Sequence, residues 1–237
     1  MSAFDRVKLL IGNKNYEKLA NASVAVFGIG GVGGYVAEAL VRSGVKNIAL
    51  FDNDVVSMSN INRQIIADYN SIGKDKVSVM KERLLLINPE TKVECNKVFY
   101  LPENADGFDL AKFDYVVDAV DTVSAKIEII KRAKDANVPV ISCMGTGGKI
   151  KPELLKVADI SKTSGCPLAR VMRRELKKRG VENLKVVFSE ENVQFCKEEE
   201  GLLESKGKGV APPSMMFVPA SAGVLLAREV VFDLIKN

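Results

Sequence analysis

The sequence predicts an α/β protein: a doubly wound, mainly parallel sheet with helices on both faces and a smaller C-terminal α/β extension. Three observations predict it. An apolar run from Val24 to Phe27 feeds a turn packed with Gly28, Gly30, Gly31 and Gly33, and an alanine-rich helix follows. Apolar runs and helix-period segments then alternate up to about Met144, the signature of a parallel sheet. With 237 residues and 47% hydrophobic content, the chain is long enough to bury a sizeable core.

The first half is expected to supply strands at residues 24–27, 47–51, 93–99, 115–120 and 138–143, with helices at 33–43, 74–87 and 124–137 between them. Gly145, Gly147 and Gly148 then break the rhythm. Beyond them the pattern gives a strand at 154–160, a basic helix at 167–179 opened by Pro167, a strand at 184–189 and a closing apolar helix at 219–235. Residues 190–213 hold an acidic patch, a Lys/Gly-rich patch and two prolines, the composition of a long mobile loop. The expected division is a nucleotide-binding unit at 1–148 and an extension of the same sheet at 149–237.

Composition excludes several classes of chemistry. The chain has no histidine, which removes Ser-His-Asp and Cys-His catalysis, histidine general bases and histidine metal ligands. Its four cysteines, Cys95, Cys143, Cys166 and Cys196, form no CxxC pair, so neither a zinc site nor a disulfide framework is indicated. No apolar run reaches the eighteen or so residues of a membrane span, and the first residues lack a signal-peptide core. A cytoplasmic protein without membrane contact is the expectation. The net charge of +4 is too small by itself to imply nucleic acid.

The strand–turn–helix unit has a chemical meaning. Its glycines let a phosphate approach bare backbone N–H groups at a helix N-terminus. Asp52 lies nineteen residues past Gly33, at the distance where an acid meets a ribose hydroxyl. Asn60, Arg63 and Lys76 come just past the ends of the first two strands, on the sheet edge where ligands sit. Arg63 and Lys76 suit a triphosphate, and Asp121, at the end of the fourth strand beside Asp118, suits magnesium bound to phosphate oxygens. The alternative is that these are solvated loop charges. A dinucleotide site needs the glycines and the ribose acid but not a downstream Arg, Lys and magnesium acid. The set fits attack on the α-phosphate of ATP, with pyrophosphate leaving.

GIGGVGGYVAEALVRSG, DNDVVSMSNINRQ, SIGKDK and VVDAVDT closely resemble the adenylating domain of the ubiquitin-activating-enzyme superfamily, the ThiF/MoeB-like enzymes, over about residues 6–148. The resemblance implies a Rossmann-like fold, ATP and Mg as cofactors, and attachment of AMP to a carboxylate. It implies that Asp52 holds the ribose, that Asn60, Arg63 and Lys76 hold the phosphates, and that Asp121 binds magnesium. It also implies a homodimer in which Arg6 is lent to the partner's ATP; a plain surface arginine is the alternative.

The second half, VADISKTSGCPLARVMRRELKKRGVENLKVVFS and FVPASAGVLLAREVV, resembles the tRNA threonylcarbamoyladenosine dehydratases, and the likeness then covers nearly the whole chain. The implied reaction, of ligase or cyclase type, activates the threonine carboxylate of the modified adenosine in tRNA, closes it into a ring and loses water overall. The residues add their own support. Arg170, Arg173, Arg174, Lys177 and Lys178 share one helix face, with Leu168, Val171, Met172 and Leu176 forming an apolar stripe elsewhere. Such a basic face fits a phosphate backbone, hence tRNA; a merely solvated face is the alternative. Cys166 stands at that helix start, where the dipole favours a thiolate; as an acyl acceptor it competes with a simple packing role.

Two rival functions remain open. One is adenylation of the C-terminal glycine of a ubiquitin-like sulfur-carrier protein, with a carrier or sulfur-transfer protein as partner. The missing CxxC pairs and the basic helix argue against it. The other is a non-catalytic NAD-binding regulator.

Overall fold

The computed structural model describes residues 2–194 and 212–236. Two short helices come first, α1 (Asp5–Ile11) and α2 (Asn13–Asn21). The sequence pattern did not announce them, because seven and nine residues span too few turns for a periodic signal. There follow β1 (Ser23–Phe27), α3 (Gly33–Arg42), β2 (Asn47–Phe51), α4 (Lys76–Ile87), β3 (Lys92–Asn96), β4 (Tyr115–Asp118), α5 (Val123–Asp135) and β5 (Val140–Cys143). The extension adds β6 (Leu155–Asp159), α6 (Pro167–Lys177), β7 (Lys185–Ser189) and α7 (Phe217–Lys236).

The seven strands form one sheet in the order β3-β2-β1-β4-β5-β7-β6. Every neighbouring pair is parallel except the edge strand β6, which runs antiparallel to β7. The strand alternation explains the two-sided core. Val24 and Val26 of β1 enter one apolar cluster with Leu40, Met80 and Leu226, while Ala25 and Phe27 enter the other with Ile130 and Met172. Both faces of the central strands are therefore covered, as a parallel sheet requires.

Most element boundaries differ from expectation by one to three residues. The β3 edge strand is mostly exposed and ends at Asn96 rather than 99, since an edge strand carries little apolar pattern to mark its end. α4 begins at Lys76 rather than 74. β4 stops at Asp118, where the carboxylate turns inward to a buried lysine, so Asp121 lies in the following loop.

The expected mobile stretch at 190–213 lies mostly outside the described residues. Its described ends are tied down. The Glu191 carboxylate accepts from the Ile150 and Lys151 amides, and Gln194 N donates to Gly148 O at 2.7 Å. At the other end Gly148 N donates to Pro213 O at 2.6 Å. No helix among the described residues is long and apolar enough to cross a membrane.

Candidate active site

From β1 the chain moves outward through β2 and β3, then crosses back to place β4 on the other side of β1. The carboxyl ends of β1 and β4 thus flank a topological switch point, where open α/β sheets bind ligands. The glycine turn leaves β1 at this point.

Its glycines divide by role. Gly28 has φ +85°, and a Cβ there would lie 2.7 Å from the Ala119 carbonyl oxygen. A Cβ on Gly33 would lie 1.7 Å from Gly28 O. The fold itself demands both. Gly30 and Gly31 have no positive φ, and a Cβ on either would meet neighbours only at ordinary contact, 3.8 Å for Gly30 and 3.5 Å for Gly31. The chain has room for a side chain there, so bare backbone at these two positions leaves space for something other than protein. Among the described residues, the Gly30, Gly31 and Val32 amides donate to no backbone carbonyl. The result is a cradle for an anion at the N-terminus of α3.

Asp52, just past β2, braces this turn. One carboxylate oxygen accepts from Ile29 N at 2.6 Å and the other from Asp54 N at 2.8 Å. Burial raises its pKa above the ordinary aspartate value, against the pull of Lys76 and these two amides. Lys76 opens α4 with its side chain buried, and its ammonium lies 2.7 Å from Asp54 Oδ2. Asn60 is buried too, and its Oδ1 accepts from Ser57 N at 3.1 Å, closing the short 3-10 turn Met58–Asn60. Arg63 is half-buried and donates to Ser59 O at 2.6 Å and Asn62 Oδ1 at 3.0 Å. Burial lowers its pKa from the ordinary arginine value. Its Cγ is 3.5 Å from where a Cβ on Gly31 would stand, so the arginine loop and the glycine turn touch.

Asp121 is exposed in the loop between β4 and α5, two residues beyond the Ala119 carbonyl that packs on Gly28. Asp118, which the sequence placed on the same side, is instead fully buried against Lys126 and belongs to the core. No cluster of three or more Cys, Asp or Glu that could hold a metal occurs among the described residues. A lone exposed carboxylate fits a magnesium ion that draws its other ligands from phosphate and water. Two surface clefts, of about 520 and 500 Å³, lie away from the glycine turn, one lined by Asp106, Glu128 and Arg132 and the other by Ser23, Asn47 and Lys92. Backbone geometry, rather than depth, marks the anion cradle at the glycine turn.

The other candidate residues stand apart from this cradle. Arg6 is exposed on α1, and its side chain makes no hydrogen bond or ion pair among the described residues. α6 is anchored through buried Ala169, Met172 and Leu176, with Leu168 and Val171 half-buried. Its basic face is less uniform than the spacing implied. Arg173 turns to the Thr163 carbonyl and hydroxyl, and Glu175 pairs with Arg174, Lys178 and Arg179. Arg170 and Lys177 are exposed and make no ion pair among the described residues. Cys166 is only 4% exposed, and its Sγ lies 3.9 Å from where a Cβ on Gly145 would stand, the geometry of a packed side chain.

Two residues escaped the sequence. Asp54 lies inside the quoted motif, but nothing in its spacing distinguishes it from loop polars. Lys126 had a signal: with Ile129, Ile130 and Ala133 it falls at i, i+3, i+4 and i+7, a lysine inside an apolar stripe.

Comparison with known proteins identifies the family. The ThiF family model matches residues 4–234. The tRNA threonylcarbamoyladenosine dehydratase of Bacillus subtilis is 43% identical over 241 residues, spanning 99% of this chain and 95% of the relative. That of Haemophilus influenzae is 36% identical, spanning 93% and 88%. The solved structure of the E. coli tRNA N6-threonylcarbamoyladenosine dehydratase in complex with ATP superimposes with a TM-score of 0.88 at 32% identity, covering 99% of this chain and 94% of that one. With the glycine turn, the seven-stranded sheet and a family match that runs almost end to end, the chain belongs to the ThiF family.

Proposed function

We propose that this protein uses ATP to adenylate the threonine carboxylate of threonylcarbamoyladenosine in tRNA, and so drives its cyclising dehydration. The observation that carries the reading is the cradle at Gly30 and Gly31, roomy for a side chain yet bare, with the Arg63 loop against it. The full-length likeness to dehydratases, one of them solved with ATP, supports the choice of substrate.

A carboxylate oxygen attacks the α-phosphorus, the bond to the bridging oxygen breaks, and pyrophosphate leaves. A nucleophile within the same nucleoside then attacks the activated carbonyl and AMP departs with the carboxylate oxygen. That oxygen accounts for the water lost overall. Ionised Asp52 accepts from the ribose hydroxyls. Asn60, Arg63 and Lys76 hold phosphate oxygens and meet the charge that grows on them, so catalysis is mostly positional and electrostatic. Magnesium, held by Asp121, would neutralise phosphate charge. Lys76 exchanges its contact with exposed Asp54 for one with the nucleotide. Arg170, Arg174, Lys177 and Lys178 meet the tRNA backbone, Arg173 orders the Thr163 turn, and Cys166 packs α6. Arg6 serves the partner's site in a homodimer. A tRNA substrate supports a cytoplasmic location.

The test is exchange of labelled pyrophosphate into ATP. Exchange that requires tRNA bearing threonylcarbamoyladenosine is expected. Exchange triggered by the C-terminal peptide of a sulfur-carrier protein, and not by the tRNA, would replace this reading.

A further inference from the structure

Residues 212–217 run along the carboxyl edge of the sheet to the cradle and are held at three places. Gly148 N, in the loop after β5, donates to Pro213 O at 2.6 Å. The Asn62 carboxamide, one residue before Arg63, donates to Ser214 O at 2.7 Å. Pro219, in the first turn of α7, has its Cβ 3.5 Å from where a Cβ on Gly31 would be. Between the last two anchors, Met215, Met216 and Phe217 are 52%, 42% and 53% exposed, while Val218 and Pro219 are buried. Three consecutive large apolar side chains in water add nothing to the core and favour aggregation. Such a run marks a surface that something covers.

Position and charge select the occupant. Asp52, the acid that meets the ATP ribose, stands on the β2 side of β1, whereas this segment arrives from the β5 side. The apolar run therefore borders the cradle on the side that the base of ATP leaves open. Residues 212–219 carry no charge, so the run offers nothing to a phosphate backbone or a charged peptide tail. It suits a heterocycle. Aromatic rings and thioethers pack on flat π faces, and unpaired RNA bases are splayed out onto such side chains. The acceptor carboxylate hangs from an adenine ring on a short arm, so that ring has to come down beside the cradle.

We propose that Met215, Met216 and Phe217 form the shelf on which the base of the acceptor adenosine rests, unstacked from its RNA loop. The Phe217 ring takes one face of the purine, and the two methionines fill in around it. The shelf rests on the tRNA reading above and says which part of the RNA this edge of the site holds.

Steady-state dehydration of tRNA bearing threonylcarbamoyladenosine tests the shelf, with calorimetric ATP binding and sedimentation of the full protein alongside. Phe217→Leu keeps an apolar side chain but removes the ring. It should raise KM for the tRNA roughly ten- to hundredfold, with ATP affinity and sedimentation unchanged. Phe217→Trp restores a stacking face and should return KM to near that of the unsubstituted protein. Unchanged KM in Phe217→Leu would overturn the shelf. A changed sedimentation coefficient in Phe217→Leu would also overturn it, and make the run a contact between copies of the chain. If Phe217→Leu folds poorly, Met216→Gln decides in the same assay, and an unchanged KM there overturns the shelf. Failure of the unsubstituted protein to act on the tRNA while binding ATP would overturn the tRNA reading, and the shelf with it.

Discussion

The Lys126 ammonium lies 2.9 Å from the Asp118 carboxylate, and neither side chain is exposed at all. The ammonium also donates to the Val120 carbonyl at 3.1 Å and the Cys143 carbonyl at 2.8 Å, and the Ser142 hydroxyl donates to Asp118. The ends of β4 and β5 and the first turn of α5 are joined at one point. Residues 119–122 are held from beneath, which fixes the Ala119 carbonyl against Gly28 and carries Asp121 at the rim. The pair is a buried foundation for the loop that carries Asp121.

Removing one partner leaves a buried uncompensated charge. Lys126→Met should lower stability by about 3–5 kcal/mol in urea unfolding, and Lys126→Met with Asp118→Asn should recover part of that loss. An unchanged midpoint in the single variant would contradict the foundation role.

The glycines separate fold from function. Gly33→Ala would drive a methyl into the Gly28 carbonyl at 1.7 Å, so poor expression or a strongly lowered melting temperature is expected. Gly30→Ala meets only ordinary contacts and should fold normally while losing ATP affinity by tenfold or more, roughly 1.4 kcal/mol. Equal loss of stability in both would show that the cradle serves the chain rather than a ligand.

Arg63→Ala and Asp121→Ala should each lower turnover by roughly a hundredfold or more while the urea midpoint stays near that of the unsubstituted protein. Arg63 is half-buried and Asp121 exposed, so neither anchors the core. Near-normal turnover in both would remove them from the site.

How legible this was depends on the kind of signal. β2 was readable to the residue because Asn47–Phe51 is a buried apolar run between turns, and the glycine turn because its spacing has few other uses. The edge strand β3 and the short helices α1 and α2 lacked a periodic pattern of useful length. Asp118 was misplaced because strand position alone cannot show that a lysine eight residues on will meet it inside the core. The α6 face differs from its spacing for a similar reason: helical spacing groups five basic residues but does not show Arg173 bending to Thr163, or Glu175 gathering Arg174 and Lys178 together with Arg179.

The buried thiol at Cys143 makes an alkaline prediction. Burial pushes its pKa from 9.0 up to about 12. The unfolded chain releases this proton first, so the native state loses stability as pH rises from 9.0 toward 12. Unfolding midpoints of Cys143→Ala and the unsubstituted protein should converge over that range. Alkylation of the native protein at pH 8 should spare Cys143 and Cys166 and modify exposed Cys95. Rapid modification of Cys166 would restore its claim to chemistry.

The most direct test is nucleoside mass spectrometry after the protein, ATP and magnesium have acted on tRNA bearing threonylcarbamoyladenosine, with digestion mild enough to preserve a hydrolysable ring. ATP-dependent loss of one water from that nucleoside is the predicted result. An unchanged nucleoside mass, in a reaction where the protein binds ATP and the tRNA serves an active control enzyme, would contradict the account.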